Sequence, residues 1–240
     1  MAKPSTKNLS LLSNPTKLKT ICKAISALDA IICQEWEHRY YSYQAKWSKT
    51  EELFEMRNGQ GDQLLILFSK LGTCINGFAH ESEMNGWGRA AKNRKKSFLK
   101  KLFTSREKLT QELPEGITDG LPEVFNDFSF GEPVKSIGTT FCIWRTITDS
   151  KWKTGNTISP EDEVGDGSIE LLQLLDGNPF DYKIWAEEYY EVEVLPLETI
   201  EKIYNLTALT KVLVASISPA IGDLESLKSD LHEIGYPHLF

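Results

Sequence analysis

Cysteine and histidine are scarce in this chain, with four of each among 240 residues. Cys22, Cys33, Cys74 and Cys142 show no CxxC spacing, which removes the common zinc and dithiol patterns. Without an export signal they read as reduced, buried small hydrophobes. No apolar run reaches the roughly 18 residues that a membrane-spanning helix needs. Met1-Ala2-Lys3-Pro4-Ser5-Thr6-Lys7 has no apolar core of the secretory kind, so the cytoplasm is the expected compartment. Neither GxxxxGK[ST] nor GxSxG occurs, which removes the simplest P-loop and serine-hydrolase readings. Internal repeats and low-complexity segments are absent as well.

What is present is an ordinary soluble composition, 40% hydrophobic and 25% charged, with an uneven distribution of charge. Arg89 to Lys108 carries nine basic residues against Glu107 and is therefore +8. That leaves −15 for the remainder of a chain whose net charge is −7. The segment, including Lys92, Arg94, Lys95, Lys96, Lys100 and Lys101, could dock phosphates or an acidic partner. Phe98, Leu99, Leu102 and Phe103 fall on one side of a helical wheel, so the plainer expectation is the solvated face of an amphipathic helix. Phe98 and Phe103 belong to that apolar side, so aromatic residues do not alternate with the charges as stacking platforms would.

Residues up to Ser13 are expected as a loose arm. Asn14-Pro15 then supplies an N-cap and a proline at the first helical position. Leu18, Ile21, Cys22, Ile25, Leu28 and Ile32 follow with the spacing of a one-sided helix. From Trp36 the pattern is that of an antiparallel meander, with strands over 36–47 and 51–57, a turn at Asn58-Gly59-Gln60-Gly61-Asp62, and strands over 64–68 and 73–80. Leu64 to Phe68 is apolar at every position, which marks a central strand covered on both faces. In the next strand Cys74, Asn76, Phe78 and His80 share one side, while Ile75 and Ala79 share the other.

Residues 113–136 are rich in proline and glycine and are the best candidate for a connector between residues 1–112 and 137–240. A strand is expected over 137–145, and the final third reads as helical. Its last helix is capped by Asp223, striped by Leu224, Leu227, Leu231 and Ile234, and stopped by Gly235. Strands followed by a run of helices give an α+β class: a meander sheet packed with an N-terminal helix and a C-terminal run of helices, with no βαβ alternation.

Several partial motifs fail on chemistry. His80-Glu81 begins HExxH, but Met84 stands where the second histidine belongs and the segment reads as a strand end. Asp162 to Gly167 resembles a calcium loop, but Val164 occupies the third position and Gln173 the twelfth, so two carboxylates are missing. Gly86-Trp87-Gly88-Arg89-Ala90-Ala91 matches GxGxxA, but a bulky Trp87 sits between the glycines and a lysine-rich helix follows. No complete cofactor or metal pattern emerges. Tyr40, Tyr41, Tyr43 and Trp47 could anchor an interface, although packing across a half-buried sheet is the better account of them. Arg39, Arg57 and Arg145 are expected to pair with carboxylates such as Glu37, Glu55 or Asp62.

Trp36-Glu37-x-Arg39-Tyr40-Tyr41-Ser42, Met56-Arg57-Asn58-Gly59-x-Gly61-Asp62 and Gly77-Phe78-Ala79-His80-Glu81-Ser82 resemble an uncharacterised group of bacterial proteins. Thr140 to Arg145 and Trp185 to Tyr190 look like the same group, so the likeness covers most of the chain. It implies stand-alone accessory or toxin-immunity-like components and carries over no catalytic residue.

Three readings follow. The first is a cytosolic protein that binds another protein through the meander rim, with Arg39, Arg57, Asp62, His80, Glu81 and Trp87 as the contact surface. The second is a hydrolase in which His80 is a general base oriented by Glu81 or Asp62. The third is a nucleic-acid binder that uses residues 89–108.

Overall fold

The computed structural model describes residues 2–86, 113–156 and 165–240. Asn14 starts the first helix, α1 (Pro15–Ile32): its side-chain oxygen accepts from the Lys17 amide at 3.0 Å, and Pro15 takes a position that needs no donor. Leu18, Ile21, Cys22, Ile25 and Leu28 are buried as the spacing predicts. From Ala24 to Ile31 every residue is buried, so the second half of α1 is enclosed on all sides.

The meander forms one antiparallel sheet of six strands in sequence order. They are β1 (Tyr41–Gln44), β2 (Glu51–Arg57), β3 (Gln63–Ser69), β4 (Gly72–Phe78), β5 (Phe141–Thr146) and β6 (Lys153–Thr154). The expected first strand begins late, because Trp36–His38 is a turn of 3-10 helix. Strand β3 is covered on both faces, as its unbroken apolar run requires: Leu64, Ile66 and Phe68 face one core, Leu65 and Leu67 the other. Strand β4 divides the same way, with Ile75 and Ala79 opposite Cys74. Gly77 lies directly across from Phe141, whose ring occupies the space a Cβ would need; an added Cβ would stand 2.0 Å from Cζ.

The larger core lies between the sheet and a helical layer. That layer holds α1 with α4 (Ser168–Leu172), α5 (Pro179–Tyr189), α6 (Leu197–Tyr204), α7 (Lys211–Ile217) and α8 (Leu224–Ile234), numbered after the two short helices described next. Asp223 accepts from the Glu225 and Ser226 amides, and Gly235 closes α8 in the left-handed conformation. The sheet's second face is covered by residues 117–137, including α2 (Asn126–Phe130) and α3 (Val134–Ile137). There Ile117, Phe125, Phe128 and Val134 pack on Leu53, Leu65, Leu67, Cys74 and Trp144.

Both sheet edges are partly occupied or short. On the β1 side the Tyr41 amide donates to the Asp29 carboxylate at 2.8 Å and the Ala45 amide to the Glu233 carbonyl at 2.8 Å. On the other side β6 has two residues only.

The first residues are not the loose arm expected. Lys3 bridges Asp176 at 2.8 Å and also reaches Asp181. Thr6 bonds to Asp166, and its amide donates to Ser168 at 3.1 Å. Ser5 and Leu12 are buried. The polar composition concealed partners more than 150 residues away. Among the described residues, no helix is long and apolar enough to cross a membrane. The basic helix and the calcium-like positions Asp162 to Val164 lie outside the described residues.

Candidate functional site

The turn between β2 and β3 is built by Asn58. Its side-chain oxygen accepts from the Gln60 amide at 2.9 Å and the Asp62 amide at 3.0 Å, an Asx turn. Its side-chain amide donates to Asp62 Oδ2 at 2.7 Å. Asp62 Oδ1 then accepts the His80 backbone amide at 2.7 Å, which fastens the turn to the end of β4. Gly61, at φ +108°, lets the backbone pass close by, since a Cβ there would come within 3.2 Å of His80 Cβ. Asn85 donates to the His80 carbonyl at 2.7 Å, and Ser82 donates to the Gly165 carbonyl at 2.5 Å.

These contacts frame a cleft of about 500 Å³ lined by Asp62, His80, Glu81, Glu83, Glu170 and Leu171, among others. Among the described residues, four of those lining it are carboxylates and none is lysine or arginine. Glu81 and Glu83 are exposed. The His80 side chain is exposed too, and its ring forms no hydrogen bond among the described residues. Asp62 therefore holds the histidine's backbone and leaves its ring alone.

Arg57, at the end of β2, borders the same turn. Its guanidinium lies 4.5 Å from the Trp36 ring centroid, and Trp36 is 56% exposed. Glu55 is 3.6 Å from Arg57 Nε; burial pushes the Glu55 carboxyl up, and the nearby guanidinium offsets this only in part. The Arg57 amide donates to the Tyr40 carbonyl at 2.9 Å. Tyr40 in turn contacts Tyr189 edge to face at 4.9 Å, and Tyr189 stacks on Trp185 at 5.0 Å. The Trp36–Arg57 pair and the Tyr40–Tyr189–Trp185 cluster are thus joined through the β1–β2 backbone.

Arg39 does not belong to this surface. It is buried, with Nε on the Cys33 carbonyl at 2.6 Å and a terminal nitrogen on the Gln34 carbonyl at 2.9 Å and Asp230 at 2.6 Å. The structure brings Asp62, His80 and Glu81 together, sets Arg57 beside them, and places Arg39 in the interior. Of the aromatic residues between Tyr40 and Trp47, Tyr41 and Tyr43 are core residues. Trp87 and the lysine-rich positions Lys92 to Lys101 lie outside the described residues.

A second polar centre had no forecast. Asp29, fully buried in α1, accepts from the Tyr182 hydroxyl at 2.6 Å, the Tyr190 hydroxyl at 2.6 Å and the Tyr41 amide at 2.8 Å. Burial raises its carboxyl to about 6, against hydrogen bonds from Tyr182, Tyr190 and Tyr41 and the charge of Arg39 that pull it down. The available signal was one acidic residue inside the apolar run Ala27 to Ile32. Its donors use both carboxylate oxygens, so Asp29 ties α1 to β1 and α5.

Among the described residues, one group brings possible metal ligands within 4.8 Å of one another: Glu35, Glu37 and His38, all exposed. His38 Nδ1 already lies 2.9 Å from Glu35 Oε2. A scan of protein-family models finds no match to the chain, and neither the curated proteins nor the solved structures contain a detectable relative.

Proposed function

We propose that this chain is a non-catalytic, cytoplasmic bacterial protein that binds another protein, neutralising or escorting it. The contact surface is the rim formed by Trp36, Arg57, Asp62, His80, Glu81 and Glu83. The observation that carries this reading is the exposed Trp36–Arg57 contact at the end of β2, next to the turn whose Asp62 lines a cleft in which, among the described residues, four carboxylates meet no lysine or arginine. Tryptophan and arginine concentrate binding energy at interfaces, and a pair already in contact loses less side-chain freedom on association than two free side chains. The carboxylate rim favours a partner that presents lysine or arginine around an apolar spot.

The hydrolase alternative draws less support. A general base needs its ring oriented; the His80 ring forms no hydrogen bond among the described residues, and Asp62 is occupied by the His80 backbone amide and by Asn58. Four free cysteines suit a reducing compartment. The nucleic-acid alternative rests on residues 89–108 and is decided by the same experiment.

That experiment is affinity capture from a bacterial lysate with three baits: the natural chain, Trp36→Ala, and Glu81→Lys with Glu83→Lys. The expected result is one partner retained by the natural chain and lost by both variants at unchanged bait stability. A partner held equally by all three baits would remove this surface from consideration. Recovery of nucleic acid alone would favour the basic segment.

A further inference from the structure

We propose a second site, independent of the first: the large cleft at the far end of β3 binds a small molecule carrying two or more phosphate groups. Its volume is about 1320 Å³, and it is walled by the first turns of α1, the β3–β4 turn, the β5–β6 turn, the Gly177–Pro179 loop and the end of α6. Strand β3 separates it from His80, because Gln63 pairs with Phe78 at one end and Phe68 with Thr73 at the other.

The charged lining is Lys17, Lys19, Lys70, Arg145, Asp149 and Glu201. Outside residues 89–108 the chain is −15, so a wall in which cations outnumber carboxylates runs against the composition around it. Several of these charges are already matched. Lys19 meets Glu52 at 2.7 Å, and Asp149 meets Lys153 at 2.5 Å. Lys17 and Lys70 form no ion pair among the described residues. Arg145 donates through Nε to the Asp149 carbonyl at 3.0 Å, which leaves its two terminal nitrogens directed elsewhere without a carboxylate partner. Glu201 is the one lining carboxylate without an ion pair among the described residues. The surplus is positive.

Two lysine point charges and a guanidinium fork suit phosphate oxygens, and the amino-terminal end of α1 adds its dipole with the same sign. A single inorganic phosphate would leave a cleft of this size largely empty. Ile21, Phe68 and Leu206 supply apolar wall for an organic remainder.

The test is isothermal titration of the intact chain with inorganic tripolyphosphate and, separately, with ADP. Saturable binding that weakens as salt rises is expected for at least one probe. The Lys17→Gln, Lys70→Gln double variant should weaken it by about tenfold or more, while Lys211→Gln on α7 should not change it. Arg145→Lys keeps the charge, loses the fork and should fall between. An unchanged melting temperature in the double variant shows that it remains folded. Tighter binding of ADP would assign the site to organic phosphates, and tighter binding of tripolyphosphate to inorganic ones. The proposal is overturned if neither probe saturates, if the double variant binds as well as the natural chain, or if a polyglutamate peptide binds more tightly than both probes.

Discussion

Arg39 and Asp230 lie 191 residues apart in the chain and 2.6 Å apart in space. The arginine side chain is 5% exposed, and it also bonds to the carbonyls of Cys33 and Gln34. It therefore closes the end of α1, the approach to β1 and the face of α8 around one guanidinium. Arg39→Ala leaves Asp230 and two carbonyls without their donor, and removing one partner of a buried pair costs about 3 kcal/mol. Urea denaturation should show a loss of that size. Arg39→Lys, which cannot reach all three acceptors, should lose about 1–2 kcal/mol. A loss within error of zero for the alanine variant would show that this contact holds nothing together.

The buried Asp29 makes stability depend on pH in a direction opposite to that of most carboxylates. Its folded value of about 6 exceeds the ordinary 3.8, so the native state holds the proton more tightly than the unfolded chain does. The stabilisation linked to this group is fully present below 3.8 and is lost as pH rises through about 6. Asp29→Asn removes the dependence. Between about pH 4 and pH 7 the stability of the natural chain relative to the variant should fall by roughly 2 kcal/mol. Urea midpoints of both chains across that range check it, and a constant difference would contradict the burial argument.

Gly77 and Phe141 should behave as one unit. An added Cβ at Gly77 would stand 2.0 Å from the ring, so Gly77→Ala forces the ring to move and should cost about 2–3 kcal/mol. Phe141→Leu alone should also destabilise, through lost burial. The double variant should lose less than the sum of the two, because the smaller side chain makes room for the methyl group. A double-mutant cycle by thermal denaturation measures the coupling; strict additivity would mean that the ring has somewhere else to go.

Asp62 and His80 should separate cleanly. Asp62→Ala removes the acceptor of the His80 amide and of the Asn58 side chain, and should cost about 1–2 kcal/mol. His80→Ala leaves both bonds in place and should change stability by no more than about 0.5 kcal/mol. Chemical denaturation of the two variants side by side distinguishes them. Equal losses would mean that the imidazole, as well as the backbone, holds the turn.

The legible parts of this fold were those written in local periodicity. The stripe of α1, the doubly apolar β3, the Asn58–Asp62 turn and the Asp223 cap all depend on residues within a few positions of one another. Arg39 was assigned to the rim because the alternation of Trp36 to Tyr43 suggested a strand that in fact begins at Tyr41. A strand start displaced by five residues, from 36 to 41, decides whether a side chain faces solvent or the interior. Asp62, His80 and Glu81 converge because they sit at adjacent strand ends, which meander order alone implies. The Asp29 centre and the large basic cleft join segments more than 100 positions apart, and no pattern within the sequence encodes which helix returns to which strand.

The margins of the sheet limit how any partner can be recognised. With the Tyr41 and Ala45 amides consumed internally and the last strand cut to two residues, little free backbone is left as a template for an incoming segment. Association by strand addition, whether with a ligand peptide or in runaway self-assembly, is disfavoured at these edges. Selectivity must then be written in side chains, where single substitutions can retune it without disturbing the scaffold.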